Sequence, residues 1–473
     1  MSVVEKLSDY QENKKSVTAE IARFAINTKA EDIPERLYDC AKRSQLDTIG
    51  VTIGGVADDR AANILGEYVK DIVGTDNLEN GATVIGQGFK TTLPYAAQIN
   101  GAAADVIGFS DVALETCNHP SPSICPPLWA LGEKHGYSGK DILTAHIIGL
   151  EIAEKIGRAL LPKFHQKGWE PRGVTNTFGA AAACARLLGL GVKTTANALG
   201  ICGAEASGMR AVKGTMSKAY INGMSARNGI EAALLASRGY TGPTNVFEAK
   251  DGVMQTFGEG ADGHKIWQAL ANPWEYDEPG ITYKRFPVCT CTHPAIEATL
   301  KLRADHDLKP DDIESIQCSA TPGVMDWLPF TRPMHKFQAK YSMQFTVSLA
   351  MFEGDVALSS VTDEKVQNEA IRAFMKKVSL DVLEEYAKAG YTPAHAPYGC
   401  RVEMKLKDGR IVAHQQDNPT WADNPPDWDG LAHKFTSCAT LVLPEDKTAE
   451  AIELCNKLET LETITPLMDA VRG

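Results

Sequence analysis

Apolar side chains recur at helical spacing after Ser138. Ile142, Ala145, Ile148, Ile152 and Ile156 fall on one face, and Asp141 stands three residues after Ser138, as a capping box requires. The spacing predicts an amphipathic helix. Residues 178–190 are rich in alanine and leucine, and residues 224–238 run through Ile230, Ala233, Leu234 and Ser237 to Gly239, a residue type that ends helices in the left-handed conformation. Both segments read as helices. Their small side chains are read as the geometry of close helix crossings rather than as a nucleotide loop.

The pattern changes after about residue 270. Asn272-Pro273, Pro279-Gly280 and the aromatic and cysteine-rich run 283–291 break the helical period and mark a candidate domain boundary. Beyond it, residues 293–302 can form a helix and 313–320 alternate like a strand. Segments 401–407 and 410–414 flank Asp408-Gly409, a two-residue hairpin signal. Residues 418–430 hold prolines and glycines among polar residues, and 449–458 are helical again, so the chain end is a candidate to rejoin the first domain.

Charge and composition narrow the function. With 48 basic and 60 acidic side chains the net charge is −12, the wrong sign for a nucleic-acid footprint. Hydrophobic residues at 44% and charged residues at 23% are ordinary globular usage. The apolar stretch 142–150 is nine residues and includes His146, whereas a spanning helix needs about 20; no membrane partner is expected. The first 17 residues mix both charge signs without the apolar core of a secretion signal. Eleven cysteines in 473 residues, most of them isolated, fit reduced thiols and a cytoplasmic location.

The signatures of phosphate loops, zinc proteases and zinc ribbons are absent. Cys289-Thr290-Cys291-Thr292-His293 has one residue between thiols where zinc sites usually have two, so no metal is expected there. More informative groups are scattered. Phe109-Ser110-Asp111 leads to His119-Pro120-Ser121, where prolines set a histidine beside a turn; a lone histidine also serves plain structural roles. Gly214-Thr215-Met216-Ser217-Lys218 follows Arg210 and Lys213 at the entrance to a helix, where backbone donors and a lysine can hold an anion or merely form a solvated basic turn. Lys284-Arg285-Phe286-Pro287 puts two cations at the suspected boundary, where clefts form.

Together with Leu46-Asp47-Thr48-Ile49-Gly50, Gly179-Ala180-Ala181-Ala182, Thr292-His293-Pro294 and Lys434-Phe435, these pieces occur in an order and spacing that resembles the 2-methylcitrate dehydratase / cis-aconitate decarboxylase (MmgE/PrpD) family over nearly the whole chain. The resemblance implies a mainly α protein: a large all-helical domain from residues 1–278 and 418–473, a smaller α+β lid over 279–417, and a homodimer, with the active site between body and lid. It also implies a small carboxylate substrate and no cofactor.

By resemblance, His119, Asp111, Lys218 and Lys284 are the expected catalytic residues, with Arg210, Arg285, Glu170, Cys289 and Trp327 around the substrate. Asp111 keeps the family's acid, but Val112 replaces its threonine. Glu170 stands where the decarboxylase branch has histidine, Cys289 where it has another, and Trp327 near its tyrosine. The chemistry is proton transfer next to a carboxylate, with histidine as a base poised near neutral pH and lysines meeting the developing charge. A hydro-lyase is expected first. A decarboxylase, an epimerase and, from a different class, an inactive helical interaction protein are the alternatives. Glu170 is expected to repel one substrate carboxylate.

Overall fold

The computed structural model describes residues 16–58, 60–74, 81–388 and 398–473. The reading of the first 17 residues as free of a secretion signal lies, apart from Ser16 and Val17, outside the described residues.

Helices dominate the first half: α1 (Val17–Asn27), α2 (Glu35–Asp58), α3 (Arg60–Val73), α4 (Leu93–Val106), α5 (Ser121–His135), α6 (Gly139–Leu160), α7 (Pro171–Leu187), α8 (Val192–Glu205) and α9 (Ser217–Ser237). A small hairpin, β1 (Ala82–Val84) with β2 (Phe89–Thr91), precedes α4. The capping box forms: Ser138 Oγ accepts from the Asp141 N–H at 3.1 Å, and the Asp141 carboxylate accepts from the Ser138 N–H at 3.3 Å. All five apolar residues of that face are fully buried.

The glycine and alanine content is packing geometry, as the pattern indicated. A side chain at Gly149 of α6 would meet the Gly179 carbonyl of α7 at 2.8 Å, and one at Gly179 would meet the Gly149 carbonyl at 2.5 Å, so the two backbones cross with no room for a Cβ. Helix α9 starts seven residues earlier than its apolar period predicts and ends as expected, with Gly239 at φ +89°. Pro120 and Pro122 do not interrupt a helix; they begin α5, where the missing N–H needs no partner.

The second half holds α10 (His293–Asp305), β3 (Ile313–Ala320), α11 (Met343–Glu353), β4 (Val378–Val382), β5 (Cys400–Leu406) and β6 (Ile411–Gln416). The sheet order is β4-β3-β5-β6; β4 lies parallel to β3 and the other pairs are antiparallel. The hairpin between β5 and β6 has three loop residues rather than two. The Leu406 N–H reaches the Arg410 carbonyl, and Gly409 takes the left-handed conformation at φ +90° that ends a three-residue loop. One face of β3 and β5 (Ile316, Cys318, Val402, Met404) packs with Ala295, Ala298 and Met343 in a core of its own.

The last part of the chain holds α12 (Trp428–Ala439), α13 (Glu445–Asn456) and α14 (Thr465–Ala470). Leu431, Phe435, Ala451 and Leu458 join the same hydrophobic core as α2, α4, α6 and α7. Phe435 lies against Gly50, whose added Cβ would come within 3.1 Å of the Phe435 Cα. No helix among the described residues is long and apolar enough to cross a membrane. Phe435→Ala removes a fully buried ring at this crossing, with an expected loss of about 3–5 kcal/mol measured by urea unfolding. A loss under about 1 kcal/mol would show that α12 contributes little to the body.

Candidate active site

Helix α4 runs into a loop that carries His119, and a hydrogen-bonded frame fixes that side chain. The His119 N–H donates to Asn118 Oδ1 at 2.8 Å; Asn118 Nδ2 donates to Glu154 Oε1 at 2.7 Å and to Asn176 Oδ1 at 2.6 Å; Asn176 Nδ2 donates to the His119 carbonyl at 2.9 Å. His119 Nδ1 lies 2.6 Å from the Asp111 carbonyl oxygen and 3.2 Å from Ser110 Oγ. A carbonyl only accepts, so Nδ1 carries the proton and Nε2 keeps its lone pair. Burial, and then the positive charges of Arg172, Lys284 and Lys218, push the ring's pKa well below the ordinary histidine value.

His119 lines a narrow cavity together with Arg172, Lys213, Lys284, Cys289 and Trp327; Tyr341 and Tyr398 complete its walls. Arg172 enters from the first turn of α7 and Lys213 from the loop before α9. Lys284 donates to the Gly108 carbonyl at 2.8 Å. Burial, reinforced by repulsion from Lys218, lowers its pKa to about 7, and burial lowers that of Lys213 to about 8. Lys213 Nζ is 3.3 Å from the Trp327 ring centroid and has no hydrogen-bond partner among the described residues. Such a cavity presents a neutral base and a set of desolvated cations to an anionic guest.

Several expected site residues lie elsewhere. The Asp111 carboxylate accepts from Ser121 Oγ and does not line the cavity; burial raises its pKa to about 7, so it serves His119 through its backbone carbonyl. Lys218 is committed to Asp105 at 2.5 Å behind the cavity. Glu170 is buried and ion-pairs Arg172; although burial pushes its carboxyl up, Arg172 and then Lys213 hold it below the usual range, so its charge is answered rather than aimed at a substrate. Arg285 points outward, 45% exposed and 3.8 Å from Glu297, while Lys284 beside it is buried. Arg210 stacks on Trp327 at 4.2 Å and donates to the Asp326 carbonyl, tying the loop before α9 to the segment around Trp327.

Sequence reasoning missed Arg172, Tyr341 and Tyr398, and it noted Lys213 only as a neighbour of the glycine motif. An arginine two residues after an unexplained glutamate was the available signal for the first. Among the described residues no cluster of three or more histidine, cysteine or acidic side chains is arranged to hold a metal.

The MmgE/PrpD N-terminal domain model matches residues 19–265 and the MmgE/PrpD C-terminal domain model matches residues 286–460. The chain belongs to the MmgE/PrpD family. Within it, the chain is 27% identical to the cis-aconitate decarboxylase of Homo sapiens over 476 residues, covering 97% of this chain and 95% of that protein. Identity to the cis-aconitate decarboxylase of Aspergillus terreus (strain NIH 2624 / FGSC A1156) is 26% over 480 residues, with 96% of each chain covered. To the mitochondrial 2-methylcitrate dehydratase of Yarrowia lipolytica (strain CLIB 122 / E 150) it is 24% over 429 residues, 84% of this chain and 80% of the relative. These names, a decarboxylase and a dehydratase, support an enzyme of lyase type.

Two outcomes test this geometry. Histidine ¹⁵N shifts at pH 7 should show His119 neutral and protonated on Nδ1. Because its folded pKa is depressed, the stability it contributes is complete above about pH 6.5 and lost as pH falls toward the folded value; a ring that titrates above 6.5 would contradict the frame. Lys218→Ala strands the fully buried Asp105 and should cost about 3–5 kcal/mol in urea unfolding, most of it recovered by adding Asp105→Asn.

Proposed function

We propose that this MmgE/PrpD member is a hydro-lyase acting on a small polycarboxylate without a metal or organic cofactor. The observation that carries the reading is a neutral histidine with a free Nε2 sharing one cavity with Arg172, Lys213 and Lys284. The cations bind substrate carboxylates, and the same groups meet the charge that spreads onto a carboxylate as His119 Nε2 removes the adjacent carbon-bound proton. A leaving hydroxyl needs a proton in return. Lys284, with a pKa of about 7, is half ammonium near neutrality and can give it. The crowd of cations also makes the cavity a poor place for a metal ion.

A second reading is favoured by near-full-length similarity to proteins named cis-aconitate decarboxylase. In it the carboxylate leaves as carbon dioxide, its bonding electron pair stays on the carbon, and Lys284, half ammonium near neutrality, supplies the proton that this carbon takes up. Purified protein offered hydroxy- and unsaturated di- and tricarboxylates separates the two. New alkene absorbance without carbon dioxide supports dehydration, carbon dioxide release supports decarboxylation, and deuterium uptake with neither points to epimerisation. No turnover and no exchange on any such acid would overturn the enzyme reading.

On the substrate so found, His119→Ala should lower kcat by about 10²–10⁴-fold with little change in KM, as expected for a group needed in proton transfer. Lys213→Ala should raise KM by about 10- to 100-fold, the equivalent of one charge-assisted hydrogen bond, with kcat less affected. Near-normal turnover in His119→Ala would end the proposed mechanism.

A further inference from the structure

We propose that Cys289 is a reactive thiol of this cavity, alkylated selectively by carbon electrophiles that carry a carboxylate, because the surrounding cations gather such reagents beside its sulfur. Cys289 opens the tight turn Thr290–Thr292, held there by its N–H on the Lys340 carbonyl at 2.9 Å. It is half-buried and shares the cavity with Arg172, Lys213 and Lys284. A second observation points independently to an anionic guest. Lys213 is more than nine-tenths buried, lines the same cavity, and offers an Nζ with no hydrogen-bond partner among the described residues. Buried amines are costly unless paired, so this one is built to meet a charge that arrives from outside.

Among the eleven thiols the contrast is chemical. A hydrogen bond from the Cys291 thiol, followed by the charges of Lys284 and Lys213, favours the thiolate of Cys289 against its burial. Burial pushes Cys117, Cys125, Cys184, Cys202 and Cys455 the other way. Cys117 shares the cavity, but the Tyr398 hydroxyl occupies its sulfur at 3.1 Å. The thiolate is the nucleophile, and positive neighbours raise both its fraction and the local concentration of an anionic reagent. With iodoacetate as the probe, the sulfur lone pair forms one S–C bond, the C–I bond breaks, and iodide leaves with its electron pair. A thiol that starts protonated releases its proton to solvent.

The experiment compares iodoacetate with neutral iodoacetamide on the full chain, with peptide mapping to locate the adduct. An ordinary thiolate repels iodoacetate, so a simple thiol does not prefer it. Here iodoacetate should label Cys289 before any other cysteine and about tenfold faster than iodoacetamide. Succinate, a dicarboxylate with no electrophilic carbon, should slow that labelling. Lys213→Gln should abolish the preference for iodoacetate, and Lys213→Arg should keep it. Equal or reversed rates for the two reagents, first labelling at Cys117 or Cys40, no protection by succinate, or an unchanged preference in Lys213→Gln would each overturn the proposal. None of these readouts needs turnover, so failure of the lyase reading and failure of this one are distinguishable.

Discussion

The carboxyl end of α4 is the point on which the helical domain, the α+β domain and helix α12 converge. A helix end presents unpaired carbonyls and a partial negative charge, and here that end takes lysines from distant parts of the chain. Lys340 Nζ donates to the Val106 carbonyl at 3.0 Å, Lys284 to Gly108 at 2.8 Å and Lys434 to Phe109 at 2.7 Å, while Lys218 pairs with Asp105. Lys434 also meets Asp47 of α2 at 2.6 Å. Burying four ammonium groups is expensive, and each is offset by a carbonyl or carboxylate already fixed in place. The arrangement sets cations close together, and that closeness, with burial, brings Lys284 down to about 7. The loop leaving this same helix end carries His119, so the base and its cationic surroundings are positioned by one structural decision.

Local pattern carried the sequence reading as far as local physics reaches. The face built on Ile142 and Ile156 is buried as its period requires, strand 313–320 has the predicted bounds, and the small residues of α6 and α7 form a crossing. The parallel pairing of β4 with β3 left no trace in the alternation of β3, because its partner comes from a helical connection more than fifty residues later. The side-chain directions at the site were also beyond pattern. Lys284 and Arg285 are adjacent and alike in charge, yet one faces the cavity and the other the solvent, while Tyr283 and Phe286 on either side are buried in separate cores. Asp111 was legible as a residue near the histidine, but only the fold shows that its carbonyl rather than its carboxylate does the holding.

Glu170 shows how a single charge misleads when its partner is not counted. Taken alone, a glutamate near the site argues for a substrate with fewer carboxylates. Paired with Arg172 it argues the reverse, since the guanidinium is the member that lines the cavity and Glu170 sits behind it at the start of α7. The carboxylate orients the guanidinium and offsets its desolvation, leaving the cavity face positive. Asp105 likewise offsets the buried charge of Lys218, although that pair lies behind the cavity rather than in its wall.

That layering, anions behind and cations in front, has a consequence for how the site fills. Arg172 remains charged at any accessible pH. Lys213 at about 8 and Lys284 at about 7, both lowered chiefly by burial, sit near the point where each gives up its proton. Under the hydro-lyase proposal, a polycarboxylate entering the cavity would supply the negative charge that favours both ammonium forms. On that proposal the site gains positive charge as substrate arrives, and Lys284 moves toward the protonated state from which it would serve a departing hydroxyl. His119, bound through Nδ1 to a carbonyl and ringed by the same cations, is held neutral, the state in which the proposed reaction needs it. Lys284 and His119 are each anchored on a backbone carbonyl, Gly108 for the lysine and Asp111 for the histidine, so what separates the proposed acid from the proposed base is that the lysine keeps further N–H protons to give while the histidine keeps a lone pair on Nε2.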